Sequence, residues 1–327
     1  MLYPLRFDPV YIEKPWGGRG LSAFKQDLPP GSIGESWEVS AHPEGDTIVS
    51  NGLLRGRRLS ELAAEYGPLL LGTRRQDGVF PLMIRYVCSR ENLSIQLHPT
   101  ANYARKVGLA SGKDEAWFVL AAEPGAFVYA GLQECTRAQF RDASLNGTLG
   151  DLAVKQPVQA GDFISIPAGT VHAICAGLTL IEICENSNVT YRLFDYARDR
   201  GLDLDDGYEV VDVDVRPRPH RGLAWRIGQT TRTTLCIRNS FAITKLDVNG
   251  VHAARTDPGS FTALTCVAGE LTLASELDGT QQPLLAGQTV LLPAALGRYT
   301  LSGEGTVLDS HLPDVAAERA ELATLLT

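Results

Sequence analysis

The stretch "LSIQLHPT", residues 93 to 100, sets an amide, Gln96, and an imidazole, His98, two positions apart in an apolar run that a proline closes. On a strand successive side chains alternate faces, so Ser94, Gln96 and His98 share one face while Leu93, Ile95 and Leu97 share the other. Further groups follow in order: Lys113 and Glu115, again two apart, at the entrance to "AWFVL"; His172, just after the turn in "GDFISIPAGTVHAI"; Glu182 in "LTLIEICE"; Arg192 and Arg198 in "VTYRLFDYAR". Two imidazoles and one carboxylate suit zinc or iron(II). A set of Gln96, His98, Glu115 and His172 leaves room for substrate oxygens on a five-coordinate metal. With one carboxylate only, the metal keeps net positive charge, which favours a Lewis acid.

Taken singly, each residue also has a plainer explanation. A strand histidine is more often a hydrogen-bonded core group than a ligand. Lys113 and Glu115 could form an exposed ion pair. Arg192 and Arg198 stand near several aspartates that could pair with them at the surface, and His42, in "SAHPEG", reads as a turn or pocket-edge residue.

The elements that must position these groups are short, apolar or β-branched runs broken by 32 glycines and 18 prolines, a pattern of antiparallel β structure. Helical periodicity is confined to a few segments. "LSELAAEYGPLLL" (59 to 71) has Ser60 as its cap, "TRAQFRDASL" has Thr136 and Gln139 at capping-box spacing, "ANYARKVGL" (101 to 109) is short, and a terminal helix starts near Pro313. A faint repeat relates "AGDFISIPAGTVHAICAGLTLIEI" (160 to 183) to "AGQTVLLPAALGRYTLSGEGTVLDS" (286 to 310), and Arg298 falls where the first copy has His172. This order resembles a bicupin, a mainly β chain of two jelly-roll barrels with a few short helices. The reading assigns chemistry to residues 1–215 and a metal-free second barrel to 216–327, joined through the Pro- and Arg-rich "DVRPRPHRG" (214 to 222).

Composition narrows the partners. The chain has 327 residues, 44% hydrophobic, which suffices for a sizeable core. A formal charge of -8 and a pI near 5.3 argue against nucleic acid or an anionic membrane surface, so an anionic partner must be small. No basic segment leads into an apolar one at the start, and no run approaches the ~18 residues of a membrane span, so the expectation is a soluble, cytoplasmic protein. The six cysteines are scattered without a C-x-x-C pair and read as reduced core thiols.

In order, "PWGG" (15 to 18), "GESWEVSAHP" (34 to 43), "FPLMIRYV" (80 to 87), "LSIQLHP", "GKDEAWFVL", "GDFISIPAGTVHAI" and "IEICENSNVTYRLFDYAR" resemble the short bacterial form of type I mannose-6-phosphate isomerases. The resemblance implies one Zn2+ per chain held by Gln96, His98, Glu115 and His172. It implies that Arg192 is the catalytic arginine, with Lys113 and Glu182 in the same pocket as candidate proton shuttles, and that Arg85, Ser94 and Arg198 contact a sugar phosphate. Two places depart from the family: Thr100 and Ala101 follow the His-Pro where acidic residues are common, and "RYVCSREN" is unusual. The competing classes are a non-haem iron cupin oxygenase, which would use two histidines and one carboxylate but leaves the cationic residues unexplained, and a non-catalytic sugar-binding cupin, in which the ligand set and Arg192 would be eroded. Oligomeric state is left open.

Overall fold

The computed structural model describes residues 2–196 and 198–325. The punctuated apolar runs form strands almost throughout, with few helices, so the chain is mainly β. Contacts divide it into two compact units: Met1–Val10, Glu38–Pro81 and Arg221–Thr327 form one, and Tyr11–Trp37 and Leu82–His220 the other. The sequence division near residue 215 falls close to the break at His220. Residues at the N-terminus and from 38 to 81 nevertheless sort with the C-terminal part. The reason is long-range pairing, since strand Leu5–Asp8 pairs with Thr289–Leu292 and with Ile48–Val49.

The unit containing Leu82–His220 is built on two antiparallel sheets. One has the strand order Phe163–Ile166, Glu115–Ala122, Leu178–Glu185, Leu82–Ser89, Ile33–Val39, Val10–Gly18; the other runs Tyr191–Phe194, Ile95–Leu97, His172–Ile174, Phe127–Leu132, Ala153–Pro157. Their inner faces share an apolar cluster that includes Trp117, Leu180, Val128 and Ile174. The opposite face of the five-stranded sheet, with Ile95, Leu97 and Leu193, packs with Phe140, Leu149 and Val210 from three short helices. Alternation along 94–98 is therefore as expected for Ile95 and Leu97. Leu93 is the exception: it precedes the strand and joins the inner cluster. Among the described residues none of the sheets closes on itself, so the observed architecture is coarser than the two closed barrels expected.

Local signals are mixed. Thr136 accepts from the Gln139 amide as a capping box. Thr100, the departure after His-Pro, caps helix Ala101–Val107 by accepting from the Tyr103 amide. Ser60 is not a cap: the helix starts at Leu59 after Arg58, and the Ser60 hydroxyl donates to Asp46 instead.

The other unit carries a nine-stranded sheet with three long strands, Ala242–Arg255, Thr262–Ser275 and Arg298–His311. Its core is apolar, with Leu264, Leu273, Val290 and Tyr299 among its members. The terminal helix Val315–Leu325 is tied back by His311, whose Nδ1 lies 2.9 Å from Asp309 and Nε2 3.1 Å from Glu318. Burial opposes the charged imidazole, but these two carboxylates outweigh it and raise its pKa from 6.5 to about 10. A raised pKa contributes stability that is fully present below the unfolded value and lost as pH rises through the folded one. Screening limits the contribution to roughly 1–2 kcal/mol. The melting temperature should thus fall between pH 6.5 and about 10, and His311→Gln should flatten that decline; parallel declines in both proteins would refute the assignment.

Candidate metal centre

Register places the site residues before any side chain is considered. In the five-stranded sheet Gln96 lies opposite His172 on one neighbour and Arg192 on the other. In the six-stranded sheet Glu182 lies opposite Arg85 and Trp117. Glu115 opens its strand, with Lys113 two residues earlier. Lys113 can approach His98 because Gly112 has no side chain: a Cβ there would sit 2.6 Å from the Ala101 nitrogen. The turn before His172 contains Gly169 at φ 83 and is held by Asp114, whose carboxylate accepts from the Ala168 amide at 2.9 Å.

His98, Glu115 and His172 are each 1% exposed, and their ligand-type atoms lie within 4.8 Å of one another. His98 Nδ1 stands 2.9 Å from the Val189 carbonyl oxygen and His172 Nδ1 2.9 Å from that of Thr170. A carbonyl only accepts, so each Nδ1 carries the proton and each Nε2 presents a lone pair. Burial is the main force keeping both imidazoles neutral, taking the His98 pKa down to about 3 and lowering that of His172. The lone pairs meet the Glu115 carboxylate, at 3.0 Å from His98 and 3.3 Å from His172. Burial alone would raise the Glu115 pKa, but the Lys113 ammonium holds it well below the usual range. Three acceptors thus converge, and Glu115 Oε2 makes no well-formed hydrogen bond. Lys113, 2.9 Å from Glu115 and 3.2 Å from His98, supplies part of the missing charge. A divalent cation fits what remains, since borderline nitrogen and oxygen donors with their Nδ1 groups fixed by carbonyls are the common way to hold one. The amide of Gln96 turns its nitrogen to His172, at 3.5 Å, and its oxygen accepts from Ser94 at 2.9 Å. An amide nitrogen does not ligate, so Gln96 becomes a ligand only with its amide turned over.

The cluster opens into a small cavity of about 70 Å³. Arg85, Ser94, Glu182 and Arg192 line it, whereas Lys113, expected in the same pocket, does not. Arg85 is nonetheless committed: Nε and one terminal nitrogen hold Glu182 at 3.0 and 2.6 Å, and the other terminal nitrogen holds Glu35 at 3.0 Å. Arg192 donates to the Gly201 carbonyl, and its Nε is buried without a partner among the described residues. Arg198 is not brought into the lining; it pairs with Asp195 and Glu91, and Arg200 lines the cavity in its place. Sequence reasoning assigned no role to Lys14, Glu35 or Arg200. For Glu35 a signal existed in "GESWEV", where alternation sets it on one face with Trp37, whose indole N–H it accepts at 2.8 Å.

Fold and site together define a mainly β protein with a buried candidate metal centre at the foot of a polar cavity. Residues 5–125 match the model of the phosphomannose isomerase type I catalytic domain, and residues 231–312 that of the mannose-6-phosphate isomerase cupin domain. Mannose-6-phosphate isomerase of Streptococcus mutans is 31% identical over 321 residues, covering 95% of this chain and 99% of the relative. Mannose-6-phosphate isomerase ManA of Bacillus subtilis is 33% identical over 316 residues, covering 94% and 99%. The crystal structure of the mannose 6-phosphate isomerase from Bacillus subtilis superposes with a TM-score of 0.88 at 28% identity, covering 94% of this chain and 99% of that one. A phosphomannose isomerase variant from Salmonella typhimurium shares the fold, with a TM-score of 0.77 at 15% identity over 94% and 99% of the two chains. The chain belongs to the type I phosphomannose isomerase family.

Removing a ligand should cost more than the roughly 10–100-fold in metal affinity lost when a ligand's supporting hydrogen bond is removed. His98→Ala and His172→Ala should each come through dialysis without bound metal while staying folded. A fully loaded His98→Ala protein would refute the cluster as a metal site.

Proposed function

We propose that this chain interconverts mannose 6-phosphate and fructose 6-phosphate through an enediolate, with one Zn2+ per chain held by Gln96, His98, Glu115 and His172. The observation that carries the reading is the convergence of two imidazole lone pairs on the Glu115 carboxylate beside Glu182 and Arg192 in one cavity. When bound, the metal would supply Lewis acidity to the substrate's carbonyl end.

The remaining roles fall to the chain's own side chains. Glu182 is the first candidate to carry the proton between C1 and C2, and Lys113 the second. Opposing burial, Glu115 and Glu182 raise the Lys113 pKa, so Lys113 stays an ammonium, which favours Glu182 as the base. Arg192 stabilises the developing oxyanion, because a guanidinium keeps its charge at neutral pH. Ser94, Arg85 and Arg198 are the proposed phosphate set. Ser94 lies in the lining, Arg85 contributes field with its nitrogens already committed to carboxylates, and Arg198 acts from outside the lining. Binding energy gained at the phosphate orients the reacting end.

The proposal extends to the architecture and setting. Residues 1–215 carry the chemistry and 216–327 form a metal-free second cupin, giving a bicupin. In support, the His98–Glu115–His172 group is the one such cluster among the described residues, and Arg298 is exposed at the position matching His172. No helix among the described residues is long and apolar enough to cross a membrane, in keeping with a proposed cytoplasmic enzyme.

A coupled assay with mannose 6-phosphate tests the reading. Turnover should vanish on chelation and return with zinc, and Arg192→Ala should keep zinc while kcat falls by about 10²–10³, the usual cost of losing an oxyanion donor. Fully metallated protein without turnover would overturn the assignment.

A further inference from the structure

Six charged side chains of alternating sign form a continuous line. Lys14 lies 3.2 Å from Glu35, Glu35 3.0 Å from Arg85, Arg85 2.6 Å from Glu182, Glu182 3.3 Å from Lys113, and Lys113 2.9 Å from Glu115. Glu35 stands two links from the carboxylate proposed to move the proton. Its Oε2 accepts from Arg85 and from the Trp37 indole, and its Oε1 faces Lys14. Burial alone would raise its pKa, but Arg85 and Lys14 hold it low, so it is an anion. Glu182 Oε1 receives Arg85 Nε, a terminal Arg85 nitrogen and Lys113, while its Oε2 makes no hydrogen bond among the described residues.

We propose that Glu35 is a positioning residue for the isomerisation: it clamps the far side of the Arg85 guanidinium, so that Arg85 and Lys113 fix one oxygen of Glu182 and leave the other for the substrate. The inference rests on the reading of Glu182 as proton shuttle. A guanidinium is planar, and a carboxylate on each side fixes both its position and its plane. Without Glu35, Arg85 has one buried carboxylate left to satisfy and is free to rotate around it, taking Glu182 off its line with Lys113. No contact between Glu35 and substrate is needed.

The test uses the zinc-loaded full chain. Glu35→Gln keeps the size of the side chain and its acceptor for Trp37 but removes the charge. It should lower kcat by about 10-fold or more, within the range that acid–base catalysis contributes, while KM changes less than about twofold and zinc content is retained. If Glu35 acts only through Arg85, Glu35→Gln should add no further loss in an Arg85→Met background, whereas a general structural role would multiply the two losses. Should Arg85→Met not fold, a crystal structure of Glu35→Gln decides: a displaced Glu182 carboxylate supports the proposal and an unmoved one overturns it. Unchanged kcat in Glu35→Gln, or multiplicative losses, would also overturn it. Glu182→Gln serves as the control on the underlying reading. If it retains full kcat, the shuttle assignment fails first and takes this inference with it; if it is inactive while Glu35→Gln is normal, only the inference fails.

Discussion

Two imidazole lone pairs and a carboxylate point at one another in the interior with no proton to share. Neutral histidines protonated on Nδ1 are obliged to present Nε2 as an acceptor, and the carbonyls of Val189 and Thr170 leave them no other tautomer. Such an arrangement is repulsive unless positive charge sits within it. Lys113 provides some, and a metal cation would provide the rest. Much of the surrounding sequence serves to hold this convergence: Gly112 lets the Lys113 loop close on His98, Asp114 ties down the turn before His172, and Thr100 starts a helix straight after His98.

The line of charges running from Lys14 to Glu115 follows from the same constraint. Burying so many ionised groups is costly, and each is tolerable only with an opposite charge at contact distance. Arg85 pairs with Glu35 and Glu182, and Lys113 with Glu115 and the same Glu182. The alternation keeps the interior close to neutral while giving every carboxylate a fixed orientation. Cationic side chains line the cavity although the chain's formal net charge is -8.

The two copies of the internal repeat share one local plan. In both copies a strand ends before a proline and the next strand begins five residues later, at His172 in one and Arg298 in the other. The first copy directs an imidazole inward. The second leaves Arg298 in solvent and fills its core with Leu264, Leu273, Val290 and similar side chains.

Alternation made Gln96 and His98 neighbours on one face from sequence alone, and residue type made them, with Glu115 and His172, a chemically sensible ligand set. Capping at Thr136 and the strand-rich, glycine-broken pattern were equally legible, because these features are decided within a few residues. Three things were not. The pairing of Leu5–Asp8 with Thr289–Leu292, which splits the chain into interleaved units, joins residues far apart in sequence. The orientation of Gln96 depends on whether Ser94 or the metal cluster takes its oxygen. The partner of Arg85 was also hidden: read as a phosphate contact, it is held between Glu35 and Glu182, which lie 50 and 97 residues away. Local spacing determines which face a side chain takes, but the charge opposite it arrives with a different strand, and only tertiary packing decides which one.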